Sequence, residues 1–415
     1  MRKRIWIINH YAARMFFEQG GRHLWMATEL KKQGYEPIIL CADRVHNGSE
    51  VVPTENGYAV RQYHGIPFLF FRTRPYEGNG GSRIANMWDF YHGLMKHYYE
   101  ITRKIWKPDV ILASSVHPLA LVAGIRIGKK QGVPCISEVR DLWPESLVAY
   151  GSIKKNNPLT AMLYEGEKWI YKKSAAVIMT VEGGQQYILD RGWEKEIPLK
   201  KIHHINNGLD LREFERNMVE QIWPDSQLDD GNYRVTYAGS IRHVNNVGLL
   251  LDAAKLIEAQ GISDIRFLIY GEGDERAALE ERVREEQITN VFFRGKVDKK
   301  YVPYILRQSH VNLLHEQTTD LNRYGKSQNK FFEYLAAGRY IVQTCKTEYN
   351  LLDREHCGLT IDEQTPEAIA NAILKVYNMP IEEYQRACDR ARQLAEEYDY
   401  SVLTAKLIRI IEENI

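Results

Sequence analysis

Four short stretches combine residue types that hold anions or move protons. The richest is Arg323-Tyr-Gly325-Lys326-Ser327-Gln-Asn329-Lys330-Phe-Phe-Glu333-Tyr-Leu-Ala-Ala-Gly338. Three cations precede or open a predicted helix, with Ser327 or Asn329 the expected N-cap. A helix N-terminus presents unpaired N–H groups and partial positive charge, which suits a phosphate. Glu333 follows three residues after Lys330, one turn further in, where a carboxylate suits a ribose diol. The small residues before Gly338 permit tight packing, and the glycine stops the helix.

The second stretch, Gly239-Ser240-Ile-Arg242-His243, follows an apolar run, and Arg242 is placed to neutralise a diphosphate. The third is Gln19-Gly20-Gly21-Arg22. Two glycines let backbone N–H groups approach an anion, although glycine is also the default residue of a plain loop. It lacks a full G-x-G-x-x-G, so a dinucleotide is poorly supported. The fourth is Glu138-Val-Arg140-Asp141-Leu-Trp143-Pro144-Glu145-Ser146. A charged pair, Arg140 and Asp141, at the end of a strand reads either as a site or as a packing ion pair.

These stretches need a scaffold, and the apolar pattern supplies one. Arg4–Asn9, Glu36–Cys41, Val110–Ser114, Val133–Val139 and Ala175–Thr180 read as strands, separated by helical stretches such as Leu119–Lys130 and Leu159–Lys173. The rhythm restarts at Tyr233–Ala238 and continues through Ile265–Tyr270, Val291–Phe293, Val311–Leu314 and Tyr340–Thr344. Two consecutive α/β units are therefore expected. Their joint falls at residues 206 and 207, the second runs to 395, and a last helix occupies 396–415. That helix either packs back on the first unit or belongs to the core of the second.

Composition excludes several classes. The 415 residues are 44% hydrophobic and 26% charged, ordinary for a globular chain. The five cysteines are odd in number and lack CxxC spacing, which points to a reducing compartment and away from a zinc knuckle. No acidic D-x-D pair lies on a suitable loop, so no metal is expected. The apolar run after the basic N-terminus is broken by Asn9, His10 and Arg14, unlike a signal peptide. Net charge is +1, yet residues 1–200 carry 28 Lys and Arg against 19 Asp and Glu, and the remainder 27 against 35. The basic half favours an anionic partner. Aromatics interleaved with Arg and Lys between Arg61 and Lys107 suit a membrane interface, or else a core helix with solvated ends.

The motifs together resemble the family-4 glycosyltransferases, retaining enzymes of the GT-B fold. Asn207-Gly208-Leu-Asp210 with Phe214 is similar to the family's N-G-[VI]-D…F junction. Ile269-Tyr-Gly271-Glu-Gly273-Asp274 resembles its strand and G-x-G turn, Phe293-Arg-Gly295-Lys-Val297 its F-x-G-x-V segment, and Glu333 the second acid of its Glu-x7-Glu element. Gly239 matches the glycine of its Y-x-G segment. The N-terminal Ile8-Asn9-His10-Tyr11, Gly20-Gly21-Arg22 and Arg140–Ser146 stretches resemble a subgroup that makes cell-surface polysaccharides, including fucosamine-transferase-like proteins.

The resemblance implies two Rossmann-like domains with parallel sheets facing across a cleft, and a nucleotide-diphospho-sugar donor, a UDP-sugar foremost. The donor would rest on Gly325, Lys326, Ser327 and Asn329, with Gly239 and Ser240 nearby and its base beside Arg294, Lys296 and Val297. Gly20, Gly21 and Arg22 would also face it. Arg140, Asp141, Arg242, Lys330 and Glu333 would carry the transfer to a glycan or polyprenyl-diphosphate acceptor. It also implies a cytoplasmic enzyme, peripheral on the inner membrane face, with no nucleic-acid partner. The family's first acid falls at Gly325 and is missing. Its diphosphate-gripping Arg and Lys fall near Ser240 and Asn245, so Arg242, Lys326 or Lys330 must replace them. Arg140 stands where many members carry a His. Two rival readings remain, a sugar-nucleotide epimerase of the same shape and a non-catalytic membrane-surface protein.

Overall fold

The computed structural model describes residues 3–415 apart from 47, 79 and 116. The first two residues of the basic N-terminus thus lie outside the described residues. The chain divides into two compact units, Met1–Asn206 with Tyr400–Ile415, and Asn207–Asp399.

The first unit is built on an eight-stranded sheet. Its strands are β1 (Arg4–Ile8), β2 (Glu36–Ala42), β3 (Tyr58–Tyr63), β4 (Ile66–Phe71), β5 (Val110–Ser114), β6 (Cys135–Val139), β7 (Ala176–Met179) and β8 (Ile202–His204), in the order β3-β4-β2-β1-β5-β6-β7-β8. All neighbours are parallel except β3 and β4. Parallel strands are covered on both faces, which is why β1, β5 and β6 read as nearly unbroken apolar runs and are buried. The chain leaves β1 in one direction through β2 and returns on its other side with β5. The order therefore reverses between β1 and β5, where α/β sheets open a crevice at their strand ends.

The aromatic stretch resolves into two parts. Pro67-Phe-Leu-Phe-Phe71 forms most of β4, paired with β3 in a hairpin. Helix Gly81–Lys104 buries Phe90, Tyr91 and Leu94 in the core, and leaves Trp88 and Tyr99 exposed. The last helix, Tyr400–Glu412, is part of this first unit. It packs on helix Arg22–Lys32, with the Trp25 and Tyr400 rings 5.0 Å apart.

The second unit has six parallel strands, β9 (Tyr233–Ala238), β10 (Ile265–Tyr270), β11 (Val291–Gly295), β12 (Val311–Leu314), β13 (Tyr340–Gln343) and β14 (Gly358–Thr360), ordered β11-β10-β9-β12-β13-β14. Here the order reverses between β9 and β12. Val235, Tyr237, Phe267, Ile269, Val311 and Leu313 join residues of helices Gly248–Glu258 and Pro366–Tyr377 in its main core.

Candidate active site

The second unit's reversal point gathers several of the cations singled out in the sequence motifs. The loops after β9, β10 and β11 stack backbone on backbone. The Gly239 N–H donates to the Tyr270 carbonyl (3.0 Å), the Gly271 N–H to the Gly295 carbonyl (2.8 Å), and the Ile241 N–H to the Glu272 carbonyl (2.9 Å). Gly271, at φ +146°, admits no side chain, since a Cβ there would collide with the Gly239 carbonyl. The G-x-G turn thus permits close loop packing and leaves the tip Ser240–Arg242 at the strand ends. Arg242 is exposed at that tip, and the Ser240 hydroxyl donates to the Asn245 amide oxygen (2.7 Å).

Helix Asn329–Ala337 connects the β12 loop to β13, so its N-terminus lies at the same end of the sheet. Neither expected cap is made. The N-cap is Gln328, with no side-chain capping bond. Ser327 instead turns to Asn207: its hydroxyl accepts from the Asn207 N–H (2.8 Å) and its carbonyl from the Asn207 side chain (2.5 Å). The first turn's N–H groups are left without a side-chain cap, the arrangement that favours an anion.

Lys326 and Lys330 are half-buried at this turn. Lys326 pairs with Glu316 and lies 3.3 Å from the Cys345 Sγ. Burial opposes its charge, but Glu316 more than offsets this and holds it above the usual lysine range. Lys330 donates to the His315 carbonyl (3.0 Å) and its Nζ lies 4.8 Å from the Tyr237 ring centre. Burial, only partly offset by Glu316, brings Lys330 down to about 8. Burial also brings His315 down to about 4, so its ring is neutral; its Nε2–H donates to the Asn246 carbonyl (2.9 Å). Two half-buried lysines share one carboxylate. The pair therefore carries a surplus positive charge that a bound anion would relieve.

Glu333 lies one turn into the helix, 3.4 Å from Lys299 of the segment after β11. Tyr334 anchors the helix by its hydroxyl, which accepts from the Ala238 N–H (3.1 Å). Lys296 is exposed, and Val297 packs against the small core around Leu268 and Tyr270. Arg294, expected beside the base, has a partner within the protein. Its guanidinium grips Asp225 in a two-point contact (2.7 and 2.6 Å), and Tyr270 donates to the same carboxylate (2.8 Å). Asp225 is only 4% exposed and needs that cation. Arg294 is thus structural in this conformation.

Gly325 explains the missing acid. It sits at φ 84° and ψ 179°, a region essentially closed to side-chain-bearing residues. The carboxylate beside the lysines is Glu316, which sequence reasoning missed. It lies outside every quoted motif, and its one signal is its place two residues beyond the apolar run Val311–Leu314.

In the first unit Arg22, expected to face an anion, is likewise engaged within the protein. Arg22 is turned inward and buried. It donates through Nε to Glu138 (2.9 Å), and to the carbonyls of Ile205 (3.1 Å) and Asn206 (2.6 Å). Glu138 also accepts from His23 (2.8 Å) and Ser114 (2.7 Å). Burial opposes its charge, but Arg22 and His23 keep Glu138 well below the usual carboxylate range. Gly20 and Gly21 pack against Trp25 and Met15. This network ties the strand ends together.

A buried histidine pair lies at the β1–β5 reversal. The His10 Nδ1 and His117 Nε2 are 2.5 Å apart, and among the described residues the His117 Nδ1 has no hydrogen-bond partner. Burial lowers His117 to about 3, so it is neutral near pH 7. Arg140 is held by its backbone, with its N–H donating to the Ser115 hydroxyl (3.0 Å), while its side-chain Nε has no hydrogen-bond partner. Asp141 is exposed beside it. Arg140 and Asp141 therefore do not form the packing ion pair considered from the sequence.

Among the described residues, no group of His, Cys, Asp and Glu is arranged to hold a metal ion, and no helix is long and apolar enough to cross a membrane.

These features can be compared with known proteins. A family model described as Glycosyltransferase Family 4 matches residues 24–213, and one described as Glycosyl transferases group 1 matches residues 232–379. The fold is shared over the whole chain with a sucrose-phosphate synthase from Thermosynechococcus elongatus (TM-score 0.73, 15% identity, 99% of each chain). The chain is a GT-B glycosyltransferase. Other solved structures agree on the fold. A trehalose-6-phosphate structure from E. coli bound with UDP-2-fluoro glucose gives a TM-score of 0.71 at 14% identity, covering 100% of both chains. The Anabaena protein HepE in complex with UDP-glucose gives 0.66 at 13%, covering 99% of both. A search of the curated proteins finds no match.

Proposed function

We propose that this glycosyltransferase takes a nucleotide-diphospho-sugar on its second unit. The observation that carries the reading is the uncapped N-terminus of helix Asn329–Ala337 beside the surplus charge of Lys326 and Lys330. The diphosphate rests on the N–H groups of that turn, within reach of Arg242. Glu333 accepts from the ribose hydroxyls, and the base lies beside Lys296 and Val297. UDP is the favoured carrier, because the fold's neighbours include complexes with UDP-glucose and UDP-2-fluoro glucose.

Departure of the sugar leaves a nucleoside diphosphate with an extra negative charge. Fixed N–H groups and half-buried cations stabilise that charge without having to reorganise. Retention, which the family resemblance implies, would place attack and departure on one face of the sugar. The acceptor is a glycan or a polyprenyl-diphosphate-linked glycan of a cell-surface polysaccharide, met by Arg140, Asp141 and the His10–His117 pair of the first unit. The first half's positive charge supports an anionic lipid acceptor and a peripheral place at the inner membrane face.

A thermal-shift screen against UDP-, GDP-, ADP- and dTDP-sugars tests this. A ligand at a hundred times its Kd adds about 2.7 kcal/mol of stability. One nucleoside should raise Tm clearly above the others, and no shift with any of them would overturn the donor assignment.

A further inference from the structure

Within the first unit, a cavity of about 330 Å³ runs between helices Pro118–Gln131 and Pro158–Lys173. Its wall is mostly apolar and includes Leu119, Val122, Trp143, Met162, Leu163 and Trp169. Ser115, Asp141 and Trp143 bring it to the carboxyl ends of β5 and β6, so one end opens beside the loop assigned to the acceptor. Three acidic or basic side chains line it among the described residues: Asp141 at that end, Arg126, whose guanidinium donates to the Tyr91 hydroxyl, and Glu167, which is pushed up to about 8 by burial, takes hydrogen bonds from Tyr171 (2.6 Å) and Tyr187 (2.7 Å), and so is uncharged near neutral pH.

Two further observations point to an occupant. On the outer face of helix Pro158–Lys173, Leu159, Met162 and Trp169 are exposed, Met162 to 62%. Gly166 lies on the same face at helical spacing from them. Glycine is among the poorest helix formers, yet nothing lies within 4 Å of where its Cβ would be. No packing demand explains a glycine in mid-helix. Its effect is to keep the groove open.

We infer that this groove holds the hydrocarbon chain of a lipid-linked acceptor, with the chain's phosphate end toward Arg140 and Asp141. The inference rests on the lipid-acceptor reading above and gives it a binding subsite. A polar acceptor would find few partners here, whereas an unbranched or prenyl chain fits a mostly apolar groove that ends at the loop carrying Asp141.

The test compares the full-length protein with Gly166→Trp and Met162→Glu by calorimetry with farnesyl phosphate, using methyl phosphate as the head-group control. Gly166→Trp fills the groove at a position with room for it, and Met162→Glu places a charge at its rim on an exposed site, so both variants are expected to fold. Farnesyl phosphate should bind the natural protein at least ten-fold more tightly than methyl phosphate, and each substitution should remove that advantage. Equal binding by Gly166→Trp would overturn the proposal. So would loss of binding to anionic phospholipid vesicles in that variant with no farnesyl phosphate binding by either protein, which would make this face a bilayer contact. The nucleotide-induced Tm shift should be unchanged in both variants, so a failed donor assignment and a failed groove are read separately.

Discussion

Replacing Lys330 by Met should make the resting protein more stable and the donor complex weaker. The fall of the lysine from its usual 10.5 to about 8 corresponds to roughly 3 kcal/mol, at about 1.4 kcal/mol for each pH unit. Met has nearly the same length and removes the half-buried charge, but it forfeits the bond to the His315 carbonyl, worth about 1.5–3 kcal/mol when the donor is charged and largely contained in the same balance. A gain of about 1–3 kcal/mol is therefore expected. For a unit of nearly 200 residues this raises Tm by about 2–4 °C per kcal/mol. The pH dependence has a definite sign. The folded protein holds a costly proton below pH 8, begins to release it above 8, and no longer differs from the unfolded chain once pH exceeds 10.5. The variant's advantage should be full below pH 8 and shrink as pH rises toward 10.5. Binding of the nucleoside diphosphate should weaken about 10- to 100-fold in the variant, the range of a lost charged hydrogen bond. Calorimetric unfolding and nucleotide titration of both proteins decide the matter. A variant that is less stable yet binds nucleotide as tightly as the natural protein would refute the reasoning.

The same cation makes nucleotide affinity of the natural protein fall as pH rises through about 8, with proton uptake on binding near that pH, measured by titration in buffers of different ionisation heat. Glu333→Gln should weaken nucleotide about ten-fold with Tm almost unchanged, since its pairing with the exposed Lys299 is worth under about 1 kcal/mol. Arg294→Ala should destabilise the second unit by about 2 kcal/mol, because it strands Asp225; the figure is below that of a fully buried pair because Arg294 is partly exposed. Gly325→Glu, which restores the acid that relatives carry, should cost about 1–3 kcal/mol of stability, since φ 84° with ψ 179° suits only glycine. Denaturant unfolding checks both.

Much of the fold was legible because parallel strands buried on both faces leave long apolar runs. Tyr233–Ala238 and Ile265–Tyr270 fall where they were expected. The β3–β4 hairpin was not, because Pro67 and the dense aromatics hide a period of two. The place of the final helix was equally hidden, since spacing shows that a helix is amphipathic and not what it meets. In the site, cationic loops were readable, but which cations face a ligand was not. Arg22 and Arg294 each stand beside a glycine at the end of an element, as anion binders do, and each is paired with a buried acid distant in sequence, Glu138 or Asp225. Pairings across 116 and 69 residues leave no local signal. Glu316 escaped for the same reason.

The central claim is that the nucleotide's phosphates sit on the first turn of helix Asn329–Ala337. A crystal structure of the protein with the nucleoside diphosphate chosen by the thermal screen tests it most directly. The account predicts phosphate oxygens on the N–H groups of that turn, Lys330 turned toward them, and ribose hydroxyls on Glu333. A nucleotide bound elsewhere, or phosphates that leave this turn to solvent, would contradict it.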